Sequence, residues 1–218
     1  MENIEVHVDP QNTPSQLRVE DWGLVDYGEA EQRQLHYVQQ VQDGLRKDTL
    51  VFCTHPPVVT LGRASKKEED LIGWNGDVHE VQRGGRATYH GPSQMIAYPI
   101  LDLKKRGSDL HKYLRNLENV LISCLSMYGV QAEGGREDAT GVWIGSKKIA
   151  SIGIGVKKWV SFHGIAMNLH HDPKAFQGIN PCGFSTAQMT NLEDLLGQKI
   201  SHKNFQMVFE NFFKIQFL

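Results

Sequence analysis

The chain has 218 residues and a formal net charge of −2, and 40% of its residues are hydrophobic against 22% charged. A chain of this length has room for one substantial domain but not for two ordinary domains and a linker. The composition is that of an ordinary globular protein, and the near-neutral charge gives no electrostatic case for nucleic acid or an anionic membrane as a partner.

Residues 1–15 are polar and acidic, and we expect them to form a loose tail ahead of a single domain over residues 16–218. The tail lacks the charged-then-apolar pattern of a signal peptide. No run in the chain approaches the roughly 18 apolar residues that are needed to span a bilayer. We therefore expect a cytoplasmic protein that does not bind a membrane.

The first third of the chain mixes strand and helix patterns. Residues 17–20 begin an alternation that is typical of a strand, and apolar side chains at helical spacing predict a helix over residues 29–45. Two β-rich runs follow at residues 49–54 and 58–61, and the two prolines between them predict a bend or a sheet edge. The charged run at residues 66–70 is typical of a solvated loop or of the start of a helix.

A turn-rich loop, RGGRATYHGP at residues 83–92, leads into a predicted strand over residues 94–101. After it, Ser108 can act as the N-cap of a helix that runs to residue 128 with an apolar stripe of leucines.

Strand-like alternation returns over residues 142–156, and residues 159–169 are the expected neighbouring strand. Thr190 begins a capping-box pattern for a short helix, and Ser201 can cap a final phenylalanine-rich amphipathic helix. Strands with interspersed helices predict an α+β, or mixed α/β, fold in which helices pack on a central sheet.

The cysteines Cys53, Cys124 and Cys182 are far apart and lack CxxC spacing, which predicts free thiols without a disulfide or a structural zinc site. Cys124 lies beside an apolar helical stripe, so we expect it in the core. Cys182 lies between a proline and a glycine, where little bulk hinders access to the sulfur. The residues alone leave Cys182 open between a nucleophile and a structural cysteine.

A cysteine nucleophile needs a neighbouring cation or base, because a free thiol with a pKa of about 8.5 is mostly protonated at pH 7. Lys148 and His163 are the candidates. Side chains alternate along a strand, so Lys147 would point outward if Lys148 points inward. A pair of solvated lysines in a hairpin and a core histidine remain the alternatives.

Two glycine-rich stretches have different expected roles. The pair Gly84-Gly85 lets backbone approach a ligand, and its N–H groups could hold an oxyanion, although a bare hairpin needs no function. The stretch at residues 152–155 lies inside a strand pattern and lacks GxGxxG, which argues against a dinucleotide loop.

Five motifs follow one another in order, and the resemblance that they carry covers about residues 17–195. They are HPPVVTLGR at 55–63, RGGRATYHGPSQ at 83–94, GVWIGSKKIASIG at 141–153, FHGIAMNL at 162–169 and INPCG at 179–183. In order and separation they resemble the lipoyl(octanoyl) transferases. The resemblance implies the fold shared with lipoate and biotin protein ligases.

The resemblance also implies the activity. Members of that family transfer an octanoyl group from octanoyl-acyl carrier protein to a lysine of lipoyl domains in lipoate-dependent enzymes and of the glycine cleavage H protein. Cys182 would carry the acyl group as a thioester, and Lys148 would favour its thiolate and relay protons. Transfer from thioester to amide is downhill, so no cofactor, metal or ATP is expected.

The same resemblance implies which residues bind the acyl group. The candidates for the apolar walls of the acyl slot are Val81, Ile152, Ile165 and Met167. The implied substrate-binding residues are Arg83, Gly84, Gly85, Arg86, Ala87, Thr88, Tyr89, His90, Ser151, Ile152, Gly153, Gly164, Ile165 and Ala166.

One position departs from the family pattern, because Ser93 stands where the family usually has glycine. If that position requires a positive φ, serine strains the loop by roughly 1 kcal/mol.

Three alternatives to octanoyl transfer remain. An ATP-dependent lipoate or biotin ligase of the same fold would not need Cys182. A cysteine hydrolase would use Cys182 with His163 or His90 and release a free acid. A non-catalytic protein would bind an acyl carrier or a lipoyl domain without forming a thioester.

Overall fold

The computed structural model describes residues 17–135, 140–181 and 188–218, so the predicted tail over residues 1–15 lies outside it. The strands are β1 (Arg18–Leu24), β2 (Thr49–Thr54), β3 (Val58–Leu61), β4 (Asp77–Glu80), β5 (Thr88–His90), β6 (Gln94–Ile100), β7 (Glu133–Gly134), β8 (Gly141–Ile144), β9 (Lys147–Lys157) and β10 (Val160–Asn168). The α-helices are α1 (Tyr27–Gln42), α2 (Lys67–Asp70), α3 (Leu110–Ser126), α4 (Leu192–Leu196) and α5 (His202–Phe217), and a 3₁₀ turn covers Leu103–Arg106.

The main sheet has seven strands in the order β1-β2-β6-β10-β9-β8-β7. The strands β1 and β2 are parallel, and every other neighbouring pair in this sheet is antiparallel. The run β8-β9-β10 is a meander, as the alternation in the sequence predicted. The predicted mixed α/β class with helices on a central sheet is confirmed.

A second sheet has three strands in the order β4-β3-β5. The chain enters it directly after Pro56 and Pro57, which separate β2 of the large sheet from β3 of the small one. Proline has no backbone donor, so a strand does not continue its ladder across such a pair. The predicted bend is therefore the point where the chain changes sheets.

Alternate residues of the large sheet face different helices. In β2, Leu50 and Phe52 belong to the core formed with α3 and α5, whereas Val51 and Cys53 belong to the core formed with α1. This is the period of two that a strand buried on both faces requires. The helices therefore form one layer on each side of the sheet.

Two helix caps differ from the sequence prediction. Asp109, not Ser108, is the N-cap of α3, and its side chain accepts a hydrogen bond from Lys112 N. Asn191, not Thr190, caps α4. Ser201 caps α5 as predicted.

In the part of the chain that the structure describes, none of the helices combines the length and the apolar composition that crossing a membrane would require.

Candidate active site

Lys148 is a buried lysine near the start of β9. Its exposed fraction is 2%, while the neighbouring Lys147 is exposed, so the predicted alternation of the two side chains is confirmed. The Nζ atom of Lys148 lies 5.4 Å from the ring centroid of Trp143, across the hairpin on β8. The face of an indole attracts the head group of a lysine, and this contact places the Lys148 nitrogen at the end of β8.

Gly141 at the start of β8 makes the room for this lysine. Its φ is +139°, and a Cβ atom there would lie 2.6 Å from Cε and 3.3 Å from Nζ of Lys148, and would also collide with the carbonyl oxygen of Ala150. Any larger residue would have to displace the lysine or the strand. The first glycine of the GVWIG motif is therefore part of the lysine site.

Glu118 fixes the backbone on both sides of residues 136–139. It lies on α3 with 1% of its surface exposed, and its Oε1 accepts hydrogen bonds from Gly141 N at 3.0 Å and Gly135 N at 3.2 Å. Arg115 supplies the counter-charge for its other oxygen. A buried carboxylate needs such partners, and here they anchor the glycine that accommodates Lys148.

The chain returns to Lys148 directly after residues 182–187. Thr190 N donates to Lys148 O at 3.0 Å, and Met189 forms a parallel bridge with Lys148. Asn168 at the end of β10 donates from Nδ2 to Thr190 O at 2.9 Å, and Gln94 donates to Asn168 Oδ1 at 2.8 Å. A relay of side-chain amides thus ties this segment to the two central strands.

Arg83 anchors the loop between β4 and β5. It donates from Nη2 to Thr60 O at 2.7 Å and to Thr60 Oγ1 at 2.8 Å, and from Nη1 to Gly84 O at 2.9 Å. Gly84 N in turn donates to Ile154 O of β9 at 2.9 Å. This loop therefore packs directly on the backbone of β9. The Gly84 N–H already donates to Ile154 O, so it is not available to hold an oxyanion.

The glycines of the 152–155 stretch explain that close packing. A Cβ on Gly153 would lie 3.1 Å from Gly84 O, and a Cβ on Gly155 would lie 2.9 Å from Gln82 O. Glycine here allows two backbones to approach, which is its usual meaning inside a strand. The stretch lies in β9 as the sequence indicated.

Arg86 makes a forked ion pair with Asp70 on α2, from Nε at 2.9 Å and from Nη2 at 2.6 Å. The sequence predicted residues 66–70 as a solvated loop or helix start, and a short helix does form, but Asp70 is completely buried. A charge run gives no sign that one of its members turns inward. This partner of the loop was missed because only the tertiary structure supplies the arginine.

A cavity of about 630 Å³ lies between the 83–90 loop, β9 and β10. Lys148 lines it, as do Leu110, His111 and Leu114 from the first turns of α3. Its volume falls within the usual range for small-ligand sites. Of the implied substrate-binding residues, those that line it are Arg83, Gly84, Gly85, Arg86, Thr88, His90, Ser151, Ile152, Gly153, Gly164, Ile165 and Ala166.

Four other candidates lie elsewhere. Ala87 and Tyr89 pack in the small core between the three-stranded sheet and Phe176, so their substrate-binding role rests on the resemblance alone. Val81 packs against Tyr27 and Val58, and Met167 lies in the core with α3 and α5; neither lines this cavity.

One end of the cavity is lined by aromatic and imidazole groups. His163 has 2% of its surface exposed, and its Nδ1 lies 3.4 Å from the Tyr27 hydroxyl. Burial, together with the nearby Arg83 guanidinium, lowers the pKa of His163 to about 3. Burial, with the neighbouring His55, also holds the pKa of His90 well below its usual range. Both imidazoles are therefore neutral at pH 7 and can offer one donor and one acceptor each.

The described thiols are unsuited to nucleophilic attack. Cys53 and Cys124 are free and buried, and burial raises the pKa of the Cys124 thiol to about 12 and that of Cys53 well above its usual range. The prediction that Cys124 is a core residue is confirmed. Cys182 lies outside the described residues, and its predicted role stays a prediction; Pro181 is the last described residue before it.

Ser93 is not strained. The described non-glycine residues with positive φ are Ser108, Lys158, Trp159, His163 and Phe176. The Ser93 hydroxyl donates to Asp172 Oδ2 at 3.3 Å, a contact that glycine could not make. The departure from the family pattern therefore adds a side-chain contact instead of a backbone cost.

The fold is that of the catalytic domains of lipoate and biotin protein ligases. A bipartite lipoate protein ligase from Thermoplasma acidophilum superposes with a TM-score of 0.69 at 18% identity, over 91% of this chain and 82% of that one. A biotin protein ligase from Aquifex aeolicus superposes with a TM-score of 0.53 at 9% identity, over 93% of this chain and 69% of that one. The shared fold places this chain in the structural class of these catalytic domains.

Sequence comparison defines the family within that class. Residues 26–214 match the model of the lipoyl protein ligase A/B catalytic domain. An octanoyltransferase from Bdellovibrio bacteriovorus is 46% identical, with 87% of this chain and 94% of that protein covered. The chain therefore belongs to the lipoyl protein ligase A/B catalytic domain family, and the prediction that it is an acyltransferase of the octanoyltransferase kind is confirmed.

Proposed function

We propose that the chain takes an octanoyl group from octanoyl-acyl carrier protein as a thioester on Cys182 and passes it to a lysine of an acceptor protein. The acceptors are lipoyl domains of lipoate-dependent enzymes and the glycine cleavage H protein. The observation that carries the proposal is Lys148, a buried lysine that lines a cavity of about 630 Å³. Its backbone carbonyl also accepts a hydrogen bond from Thr190 N, eight residues after Cys182.

In the first step, the Cys182 thiol gives its proton to Lys148, and the thiolate attacks the carbonyl carbon of the donor thioester. The tetrahedral intermediate collapses by breaking the bond to the carrier sulfur. The departing carrier thiolate takes a proton from the Lys148 ammonium, so that octanoyl-Cys182 and a neutral Lys148 remain.

In the second step, the acceptor lysine arrives as an ammonium, because its pKa in water is about 10.4. The neutral Lys148 removes that proton, and the free amine attacks the octanoyl thioester. The nitrogen then gives one of its two protons to the departing Cys182 sulfur, so that the amide N–H and the Cys182 thiol remain, and Lys148 releases the proton it took from the acceptor to water. Burial beneath Trp143 and Gly141 limits the movement of Lys148, which favours proton transfer at one fixed place.

The apolar part of the cavity suits the acyl tail. Leu110, Leu114, Ile152 and Ile165 line it, and at about 0.8 kcal/mol per buried CH₂ an octanoyl tail would gain around 5 kcal/mol. One methylene more or less changes binding by only about 1 to 3 kcal/mol. We therefore expect modest discrimination between neighbouring chain lengths.

The test is intact-protein mass spectrometry after mixing with octanoyl-acyl carrier protein. Wild type should form an octanoyl adduct that hydroxylamine removes and that an added lipoyl domain discharges. Cys182→Ala should form none, while Cys53→Ala, the control at a buried thiol, should retain it. Lys148→Met should keep the fold and lose about 10²- to 10⁴-fold in the rate of transfer.

Two results would contradict the proposal. Adduct formation in Cys182→Ala would move the nucleophile elsewhere. Transfer that requires ATP and persists in Cys182→Ala would assign the chain to the ATP-dependent ligase chemistry, since that route does not need the cysteine.

A further inference from the structure

Asp70 is buried, and both of its carboxylate oxygens and its backbone oxygen accept hydrogen bonds. Its Oδ1 accepts from Arg86, its Oδ2 accepts from Lys66 N at 3.0 Å, and its backbone oxygen accepts from Asn180 N at 2.9 Å. A buried charge with a forked arginine partner is costly to disturb, because removing either partner leaves the other charge without compensation.

Asn180 lies two residues before Cys182, and α2 holds it at several points. Its Nδ2 donates to Glu69 O at 2.6 Å, and Ile72 N donates to Gly178 O at 2.9 Å. Leu71 and Ile179 form an antiparallel bridge. The backbone over residues 178–180 is therefore tied to residues 69–72, and its position follows that of α2.

Arg86 holds α2 from the other side. It is part of the loop that lines the cavity, and it contacts Glu69 at 2.9 Å as well as Asp70. The same loop is fixed to β9 through Gly84 and to β3 through Arg83. A continuous set of contacts thus runs from the cavity wall through Arg86 and Asp70 to Asn180.

We propose that Arg86 and Asp70 form a positioning pair, which sets the stem that leads into Cys182 relative to the wall of the acyl cavity. The inference rests on the proposed function. It assigns Arg86 an action through Asp70 instead of a contact with the acyl group, and it assigns a role to Asp70, which does not line the cavity.

Asp70→Asn separates the two roles of Arg86. It keeps the shape of the side chain and leaves Arg86 at the cavity, but it removes the charge that holds α2. Arg86 itself is unchanged in this variant and its contact with Glu69 remains available, so a loss of rate is not due to removal of the Arg86 side chain. Arg86→Met, the double variant and Arg86→Lys complete a cycle, and Lys66→Met, which removes an exposed ion pair with Glu69 on the same helix, is the matched control.

Two measurements are made on each variant that folds. The first is the single-turnover rate of Cys182 acylation over a range of octanoyl-acyl carrier protein concentrations. The second is the pH dependence of Cys182 alkylation by iodoacetamide, followed on the Cys182 peptide. The second readout does not use the donor, so it still tests the pair if wild type forms no octanoyl adduct and the proposed function fails.

We expect Asp70→Asn to lower the maximal acylation rate about tenfold to a hundredfold, with the half-saturating donor concentration within about twofold of wild type. The midpoint of Cys182 alkylation should move to higher pH, because a displaced stem would weaken the influence of Lys148 that favours the thiolate. The double variant should be no slower than the slower single variant, Arg86→Lys should recover part of the rate, and Lys66→Met should match wild type.

Two outcomes would overturn the inference. One is an acylation rate and an alkylation midpoint in folded Asp70→Asn that equal those of wild type. The other is a double variant whose loss is the product of the two single losses, because independent effects multiply whereas a pair acting as a unit does not.

Discussion

The two faces of the seven-stranded sheet differ in what they bury. Towards α3 and α5 the core is mainly leucine, isoleucine, valine, methionine and phenylalanine side chains, and Phe205, Phe209 and Phe213 are fully buried. Towards α1 the same strands present Cys53 and Tyr98, and the buried groups nearby include Gln34, His55 and His163. One face is an ordinary apolar core and the other is mixed.

The mixed face carries a cost. The side-chain atoms Gln34 Nε2, His90 Nδ1 and His163 Nε2 are buried without a hydrogen-bond partner among the described residues. Each such group costs about 1 to 3 kcal/mol in folding. His90 and His163 line the cavity, where a bound ligand or water can reach them. The apolar face therefore stabilises the fold, whereas the mixed face loses some stability because it places polar groups at one end of the cavity.

The largest expected effect on stability is on the apolar face, at Phe209. This side chain packs edge-to-face on Phe52 and stacks on Phe213. Phe209→Ala should lower the free energy of unfolding by about 3 to 5 kcal/mol, measured by urea denaturation, while the acylation rate per folded molecule stays within about twofold.

Phe212→Ala is the control, because Phe212 lies on the same helix and is only partly buried. It should cost clearly less stability. A large loss of rate in folded Phe209→Ala would show that the packing of α5 also shapes the site, beyond the cavity walls that Leu110 and Leu114 of α3 supply.

The second prediction concerns the pH dependence of the mixed face. The pKa of His163 is about 3 in the folded protein and about 6.5 in an unfolded chain. Between these values the unfolded state binds one proton more, so stability falls as the pH falls from 6.5 towards 3. The contribution is about 1.4 kcal/mol per pH unit.

His163→Asn should remove that contribution, because asparagine does not titrate and tolerates the φ of +56° at this position. The measurement is urea denaturation at several pH values between 6.5 and 4. His171→Asn is a control of opposite sign, since the hydrogen bond to Asp194 raises the pKa of His171. An unchanged slope in His163→Asn would mean that His163 becomes protonated in the folded state.

Sequence periodicity was sufficient for the parts of the site that follow regular strand geometry. The alternation that placed Lys148 inward and Lys147 outward held, because β9 is continuous through both residues. The same rule would place His163 with Ile165 and Met167 on the face of α3 and α5. In the structure His163 has a left-handed backbone conformation, and its ring lies beside Tyr27 of α1. A periodic sequence pattern does not predict such a residue.

Long-range charge pairing was the other limit of the sequence. Asp70 and Arg86 are 16 residues apart, and neither position is part of an apolar pattern that would mark it as buried. The carboxylate of Glu118 likewise sits on a helix whose apolar stripe predicts core packing, yet its partners are backbone groups near residues 135–141. Such partners become known only when the chain is folded.

The smallest predicted effect is at the start of α3, where the apolar face reaches the cavity through Leu110 and Leu114. Ser108 and Asp109 are both good capping residues by type, and only the structure selects Asp109. Asp109→Ala should cost about 1 kcal/mol in the free energy of unfolding, because Lys112 N loses its acceptor. Ser108→Gly should change stability by less than about 0.5 kcal/mol, since relief of the φ of +53° offsets the entropy that glycine adds to the unfolded chain. The measurement is urea denaturation of both variants. If Ser108→Gly lowered the free energy of unfolding more than Asp109→Ala, the first turn of α3 would begin one residue earlier. The part of the cavity wall that Leu110 forms would then shift as well.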